Sequence, residues 1–582
     1  MAGISPRISP LSRWVLPAPD AAVVAALAAA LKIGMPAARV LAARGFGDAD
    51  AARRFLEPAF EELHDPLSMR DMPAAIERIA RAIRDRERIL IYGDYDVDGT
   101  TSVVLLTKVI ELAGGEARYH VPHRLKDGYG MRPEVVEAAA EQGVKLIVSV
   151  DTGIRAGEVV RRANELGIDV IVTDHHLPET ELPPALAVLN PNRLDCGYME
   201  KNLCGAGVAF KVIQALLPHI GWPADKVRRV SESFLKLAAI ATVADVVPLT
   251  GENRIIVACG LRGLGTVRNV GLRALLDVAG FTPDATPPNA RQVAFQIAPR
   301  MNAAGRMDTA RAVVELFLTS DAERARELAK QLHEQNAERQ AVEAEIRETC
   351  EQIAVDGAES ALVYYAENWH RGVLGIVASR LVERLHRPVF VLSRNPEDGL
   401  AQGSGRSIPA FHLLEALESM PELFLKFGGH KHAAGVTMEA ARVVEFRERF
   451  NAFAATRLSA EDYRRRVEID AVLELGEINE QTTGELFGLA PFGHGNPPPM
   501  FAVLNVEVAS SVVWKEKHLK LNVRQNGRGL SLKAWNFAAR VGELPPGARV
   551  DLAFNLEEDA YSAARGYPAW AAILRDVKPA GI

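Results

Sequence analysis

Three short apolar runs in this 582-residue chain end in side chains that bind hard metal ions. "RILIYGDYDVDG" carries Asp94, Asp96 and Asp98, "VKLIVSVDTG" carries Asp151, and "IDVIVTDHH" carries Asp174, His175 and His176. A fourth acid, Asp245, sits in the similarly apolar "ATVADVVPL". Singly, each has a plain explanation. An Asp after a strand commonly caps the next helix or closes a turn, and a lone buried His usually satisfies a hydrogen bond in the core. Asp174 reads as a cap or as a support for its neighbours. The coincidence is what points to chemistry. Carboxylates gathered at one end of a sheet repel one another, and divalent cations neutralise them most simply. Alternate residues of an extended segment point to one side, so Asp94, Asp96 and Asp98 can converge. Carboxylates with one or two imidazoles and no thiolate favour Mn2+ or Mg2+ over structural zinc. There are acids enough for two ions about 3.5–4 Å apart, the arrangement that serves phosphoryl hydrolysis.

The elements that must position these residues are legible in outline. From about residue 80, buried strands alternate with helical stretches such as "TTSVVLLTKVIELAGG" and "RPEVVEAAAEQG". That alternation predicts an α/β fold on a parallel sheet, with its ligand crevice beyond the carboxyl ends of the strands. Residues 1–75 are alanine-rich and read as an N-terminal helical segment, and 76–318 form the catalytic α/β domain. The charged stretch within 319–357 lacks Pro and predicts a long connecting helix. Residues 358–460 read as a second α/β domain, and 461–582 as a C-terminal OB-like β-barrel built on "AVLNVEVASSVVW", "HLKLNVRQ", "LSLKAW" and "RVDLAFNL".

Composition narrows the class. With 48% hydrophobic and 24% charged residues the chain is of ordinary globular type. The net charge of −6 is no guide to nucleic acid, because only local clusters form a binding face. Cys196, Cys204, Cys259 and Cys350 are scattered without Cys-x-x-Cys spacing, so a zinc ribbon or disulfide framework is not expected. A reducing compartment, the cytoplasm, fits. "AAVVAALAAAL" is too short to span a bilayer and reads as an ordinary helix, so no membrane partner is expected.

Three regions offer grips for a phosphate-bearing strand. "RQVAFQIAPRMNAAGRMDTAR" sets Arg291, Arg300, Arg306 and Arg311 against the single acid Asp308, although a solvated helix face explains that charge equally well. In the second α/β domain, "GSGRS" and "GGHKHAAG" combine glycines, which let a ligand approach the backbone, with Ser404, Arg406, Ser407, Gly429 and His430. That composition suits a terminal-phosphate pocket. On the barrel, Trp514, Lys515, Lys517, His518, Lys520 and Trp535 suit base stacking, unless the tryptophans fill the core.

Taken in order, "DYDVDGTTS", "VPHRLKDGYGM", "VSVDTGI", "VTDHH", "ATVADVVPL", "PRMNAAGRM", "GGHKHAAG" and "PFGHGNP" resemble the DHH phosphoesterase superfamily, and within it the single-strand-specific 5′→3′ DNA exonucleases. The resemblance covers about residues 50–575 and makes the second domain DHHA1-like. It implies a metal-dependent exonuclease degrading single-stranded DNA from the 5′ end to mononucleotides, with Mn2+ or Mg2+, two per site. It implies one ion held by Asp98, bridging Asp151, His175 and Asp245, and another by Asp96, Asp151 and Asp94. Tyr92 stands where smaller relatives carry a His ligand. His176 is assigned as donor to the scissile phosphate, Arg300, Asn302 and Arg306 as DNA contacts, and Arg124 as a phosphate grip. The family's setting implies DNA recombination and repair beside a helicase and single-strand-binding protein. Two alternatives compete. A DHH phosphodiesterase acting on short oligonucleotides or cyclic dinucleotides would need neither long helix nor barrel. A non-catalytic nucleic-acid adaptor would have lost the acids.

Overall fold

In this computed structural model, residues 12–124, 126–282, 286–353, 359–394 and 399–581 are described. The chain divides into two compact units, one of residues 53–338 with 489–497, the other of residues 1–52, 339–488 and 498–582.

The first unit is built on five parallel strands: β1 (Arg88–Tyr92), β2 (Glu116–His120), β3 (Val144–Val150), β4 (Asp169–Thr173) and β5 (Ala187–Leu189), in the order β2-β1-β3-β4-β5. The strands other than the edge strand β2 are mostly apolar runs because both faces are covered. Alternation along β1 shows this directly. Ile89 and Ile91 join a core with Val103, Val148 and Phe210, while Leu90 and Tyr92 join another with Val136, Ile147 and Val160. The helices that matter for the site are α1 (Val97–Leu112), α2 (Gly205–His219), α3 (Ala224–Ala244) and α4 (Ala298–Met307). Strand order reverses between β1 and β3, where a ligand crevice opens in this topology.

The long helix α5 runs Ala322–Gln352, inside the expected 319–357. Asp321 sets its start, its carboxylate accepting the Glu323 amide at 2.8 Å. Its expected end lies partly in residues 354–358, outside the described residues.

Two larger sheets build the second unit, beside a two-stranded one. The first has strands β6 (Leu362–Glu367), β7 (Val389–Arg394), β8 (Leu400–Arg406), β9 (Lys426–Gly429) and β10 (Ala433–Glu439), in the order β9-β10-β8-β7-β6, with only β6 and β7 parallel. The other is a closed barrel of β11 (Met500–Trp514), β12 (His518–Gln525), β13 (Arg528–Ala534), β14 (Arg549–Glu558) and β15 (Trp570–Pro579), in which β11 pairs with both β12 and β14. This is the OB-like barrel.

The structure departs from the expected boundaries in two places. The N-terminal segment is helical over Ala21–Leu31, Met35–Ala43 and Ala49–Leu56, but residues up to 52 belong to the second unit, and Arg13–Val15 is a strand parallel to Arg466–Glu468. A three-residue strand whose partner lies so far along the chain leaves no local pattern. Residues 489–497, expected with the barrel, belong to the first unit. Among the described residues no helix is long and apolar enough to cross a membrane.

Candidate metal centre

Each acid reaches the centre from its own element. Asp96 caps α1, its Oδ1 accepting the Gly99 amide at 3.0 Å. Asp98, in the first turn of α1, is buried, and its two oxygens accept the amides of Gly205 and Ala206 at 2.5 and 2.7 Å. Those amides open α2, whose positive end favours a carboxylate. β3 delivers Asp151 directly, with a left-handed φ of +57°, a conformation costing a non-glycine residue about 1 kcal/mol or more. Only glycine fits opposite it: a Cβ on Gly205 would lie 2.7 Å from the Asp151 Cβ. α3 ends on Asp245, and β4 runs into Asp174, His175 and His176.

These groups meet. His175 Nε2 lies 3.1 Å from Asp151 Oδ1, 3.7 Å from Asp98 Oδ2 and 3.8 Å from Asp245 Oδ2. Ligand atoms of Asp98, His175 and Asp245 form one group within 4.8 Å of one another, and Asp94, Asp96 and Asp151 form another. Ligand atoms of Asp151, His175 and His176 lie equally close together.

The electrostatics are those of a site short of positive charge. Burial, then the charge of Asp96, pushes the Asp94 carboxyl up to about 8. Burial, then Asp98 and Asp96, pushes Asp245 up to about 9. Burial and the surrounding aspartates drive Asp151 well above the carboxylate range, and burial raises Asp98 despite the opposing pull of His175. Two buried oxygens, Asp94 Oδ1 and Asp151 Oδ1, make no hydrogen bond. Unsatisfied buried acceptors on a cluster of acids fit divalent cations, which would ionise the carboxyls as they bind.

The two histidines are set apart by Asp174. Its Oδ1 accepts the amides of His175 and His176 at 2.7 and 3.1 Å and lies 2.7 Å from His176 Nδ1, while Oδ2 accepts the Ile154 amide at 3.0 Å. Burial works to raise this carboxyl, but the His176 bond and charge, with the amides, outweigh it and hold it low. For His176 burial works the other way, and the bond and charge of Asp174 prevail, lifting the imidazole above its ordinary value. Burial keeps His175 low despite Asp98, favouring the neutral form that binds metal. Asn192 and Asn190 hold the His175 and His176 carbonyls at 2.6 and 2.8 Å.

The residues expected to face the substrate fall into three places. Arg124 stacks its guanidinium over the Tyr95 ring at 4.7 Å, between Asp94 and Asp96. Arg306 acts electrostatically on the same tyrosine. Asn302 has a partner inside the protein, its Oδ1 accepting the Val97 amide at 3.2 Å, and so steadies the start of α1. Arg300 donates to His333 Nδ1 at 3.2 Å and to the Gln296 carbonyl. In the second unit, pairing of β8 with β10 sets Arg406 opposite Ala433 and Ser404 opposite Gly435. The Ser407 amide donates to the His432 carbonyl at 3.1 Å and the His430 amide to the Ala433 carbonyl at 2.8 Å, with Gly429 paired to Ala434. "GSGRS" and "GGHKHAAG" therefore share one sheet end. On the barrel, Trp514 and Trp535 are each 42% exposed with rings 5.5 Å apart, and His518 lies 4.9 Å from Trp535. They form an exposed aromatic surface.

Comparison with known proteins agrees with this architecture. Residues 88–242 match the DHH family N-terminal domain, 358–456 the DHHA1 domain and 469–567 the RecJ OB domain. The chain is 39% identical over 531 residues to the single-stranded-DNA-specific exonuclease RecJ of Dickeya dadantii, covering 88% of this chain and 91% of that protein. With RecJ of Escherichia coli the identity is 37% over 511 residues, covering 84% and 88%. The chain belongs to the RecJ family. The crystal structure of Thermus thermophilus RecJ in complex with Mn2+ superposes with a TM-score of 0.83 at 34% identity, covering 97% of this chain and 79% of that one.

Within this RecJ-family chain, Tyr92 does structural work. It is fully buried, its hydroxyl accepting the Arg132 amide at 3.1 Å and lying 3.3 Å from the Gly130 carbonyl. Sequence reasoning missed Tyr129, whose hydroxyl lies 3.3 Å from the Asp151 carbonyl and 3.2 Å from His176 Nδ1. The only signal was a tyrosine between glycines in "KDGYGM". The amides of Gly205 and Ala206 left no side-chain signal at all.

Proposed function

We propose that this chain is a metal-dependent exonuclease that degrades single-stranded DNA from the 5′ end to mononucleotides. The observation that carries the reading is the convergence of His175 with Asp98, Asp151 and Asp245 beside Asp94 and Asp96, in a chain whose relatives are named for this activity. Asp98, Asp151, His175 and Asp245 would hold one ion, and Asp94, Asp96 and Asp151 a second. Mn2+ fits the donor set, and Thermus RecJ structures were solved with Mn2+ and with Mg2+. Such ions supply a water nucleophile at neutral pH and neutralise developing phosphate charge.

The chain's own residues do the remaining work. Asp98, anchored on two amides, and Asp151, fixed by its turn, keep their carboxylates aimed before substrate arrives. His176, tied through Nδ1 to Asp174, offers Nε2 to an oxygen of the scissile phosphate. Water adds at phosphorus, the bond to the 3′-oxygen of the terminal nucleotide breaks, and that oxygen takes up a proton. Each turnover thus leaves a new 5′-phosphate, the group that Arg406, Ser404, Ser407 and the Gly429–His430 turn would hold. Arg124, Arg300 and Arg306 would grip the strand, and a helicase and single-strand-binding protein would supply it.

The test uses the purified chain and Asp151→Ala with 5′-labelled single strand, duplex and dinucleotide, in Mn2+, Mg2+ or EDTA. Mononucleotide release from the single strand, lost in EDTA and in Asp151→Ala, is expected. Activity surviving either loss removes the metal reading, and preference for dinucleotide shifts the function to a small-substrate phosphodiesterase.

A further inference from the structure

Asp245 closes α3, and the next residue, Val246, has a φ of +60°. A β-branched residue in the left-handed region is a genuine outlier, and such strain persists only where the surroundings over-determine it. Burial of the side chain does not explain it, because Val246 is 64% exposed. Just after the turn, residues 489–497 fold back onto Pro248 and Leu249. The Leu249 amide donates to the His494 carbonyl at 2.7 Å. A Cβ on Gly493 would lie 2.6 Å from Leu249 Cδ1, and one on Gly495 2.9 Å from Pro248 Cβ, so the backbone of the two glycines packs closely on those side chains. Buried side chains hold the segment itself. Asn496 Nδ2 donates to the Leu489 and Pro491 carbonyls at 3.0 and 2.8 Å. Arg254, 2% exposed, donates to the carbonyls of Phe55, Leu489 and Ala490 at 2.6, 3.0 and 2.7 Å.

We propose that residues 489–497 are a positioning strap for Asp245. By pinning Pro248 and Leu249 they hold Val246 in its left-handed turn, and that turn ends α3 with the Asp245 carboxylate aimed at His175 and Asp98. The inference rests on the reading of Asp245 as a metal ligand. It makes Val246, Gly495 and Asn496 positioning residues, acting through Asp245 without touching the reacting atoms. It also gives the "PFGHGNP" motif a role at the metal centre, although that motif lies next to the barrel in sequence.

The test compares Val246→Gly, which frees the turn, with Val246→Asn, which keeps a left-handed preference, and with Gly495→Ala, which pushes on Pro248. Mn2+ binding is measured by calorimetry on the full chain, beside kcat and KM on single-stranded DNA and metal-free melting. Val246→Gly should weaken Mn2+ binding about tenfold, as losses of ligand-orienting contacts do, and lower kcat without changing KM. Its metal-free melting temperature should hold or rise, since strain is relieved. Val246→Asn should bind Mn2+ as the natural chain does, and Gly495→Ala should behave like Val246→Gly. Asp245→Asn separates the two readings. If it leaves Mn2+ binding intact, Asp245 is not a ligand. If it abolishes binding while Val246→Gly binds normally, the strap is overturned and the ligand reading stands. Should Gly495→Ala fail to fold, the Val246 pair still decides.

Discussion

Raising the pH should weaken the metal-free protein, because burial holds acids of the cluster in their protonated form. The folded-state values of Asp94 and Asp245 are about 8 and about 9, against about 3.9 for an aspartate in an unfolded chain. A carboxyl raised by folding contributes stability that is fully present below its unfolded value and is lost as pH rises through its folded value. The window therefore runs from about pH 4 to about pH 9. Within it each pH unit costs about 1.4 kcal/mol per such carboxyl, so Asp94 alone removes about 3 kcal/mol between pH 5 and pH 7. Carboxylates with lowered values, such as Asp559 at about 2 beside Lys533, act only below that window. The clustered acids titrate together, and one carboxyl's worth is the least the melting curve should show. In EDTA the first unit's melting temperature should fall by about 5 °C from pH 5 to pH 7. Saturating Mn2+ should abolish the fall, because it binds the folded, ionised cluster, and binding should release protons, visible as a heat that depends on the buffer's ionisation enthalpy. A melting temperature flat with pH in EDTA, together with Mn2+ binding that releases no proton, would refute the electrostatic account of the site.

Four further outcomes follow from particular contacts. Asp174→Asn should lower kcat about 10–100-fold while Mn2+ binding changes less, since it disturbs the His176 ring first; equal losses in both would make Asp174 a support for His175 instead. Asn302→Ala should cost about 1–2 kcal/mol of stability, because the Val97 amide loses its acceptor, yet leave the salt dependence of DNA binding unchanged, whereas Arg306→Ala should reduce that salt slope by about 1. Arg406→Ala should narrow the rate difference between 5′-phosphorylated and 5′-hydroxyl strands, and an unchanged ratio would count against the terminal-phosphate pocket. Trp535→Ala should weaken binding of a long single strand by about 1–3 kcal/mol and leave dinucleotide cleavage untouched, as titration of each ligand can show.

The legible part of this protein is the part where function and local pattern coincide. A buried parallel strand is a mostly apolar run, and acids at its carboxyl end stand out against it, so the clustering of Asp94, Asp151 and His175 at one end of the sheet can be anticipated without a structure. The same holds for the long helix, whose charged stretch announces it. What fails to show is whatever one part of the chain does for another far along it. The Asp98 carboxylate is held by two backbone amides of α2, which no residue type advertises. Asn302, expected at the DNA by resemblance, has its oxygen taken by the Val97 amide, a contact the sequence does not show. Tyr92 occupies a position where smaller relatives carry a ligand, yet its hydroxyl is committed to residues 130 and 132. Residues 489–497 are expected with the barrel, but two of their glycines pack closely on Pro248 and Leu249. Each of these is a backbone group satisfied or crowded by a distant partner. Burial of polar backbone demands such partners somewhere without saying in sequence where they are. Hydrogen-bond geometry, and not residue type, shows which polar groups of the motifs are already committed inside the protein, as Asn302 Oδ1 and the Tyr92 hydroxyl are.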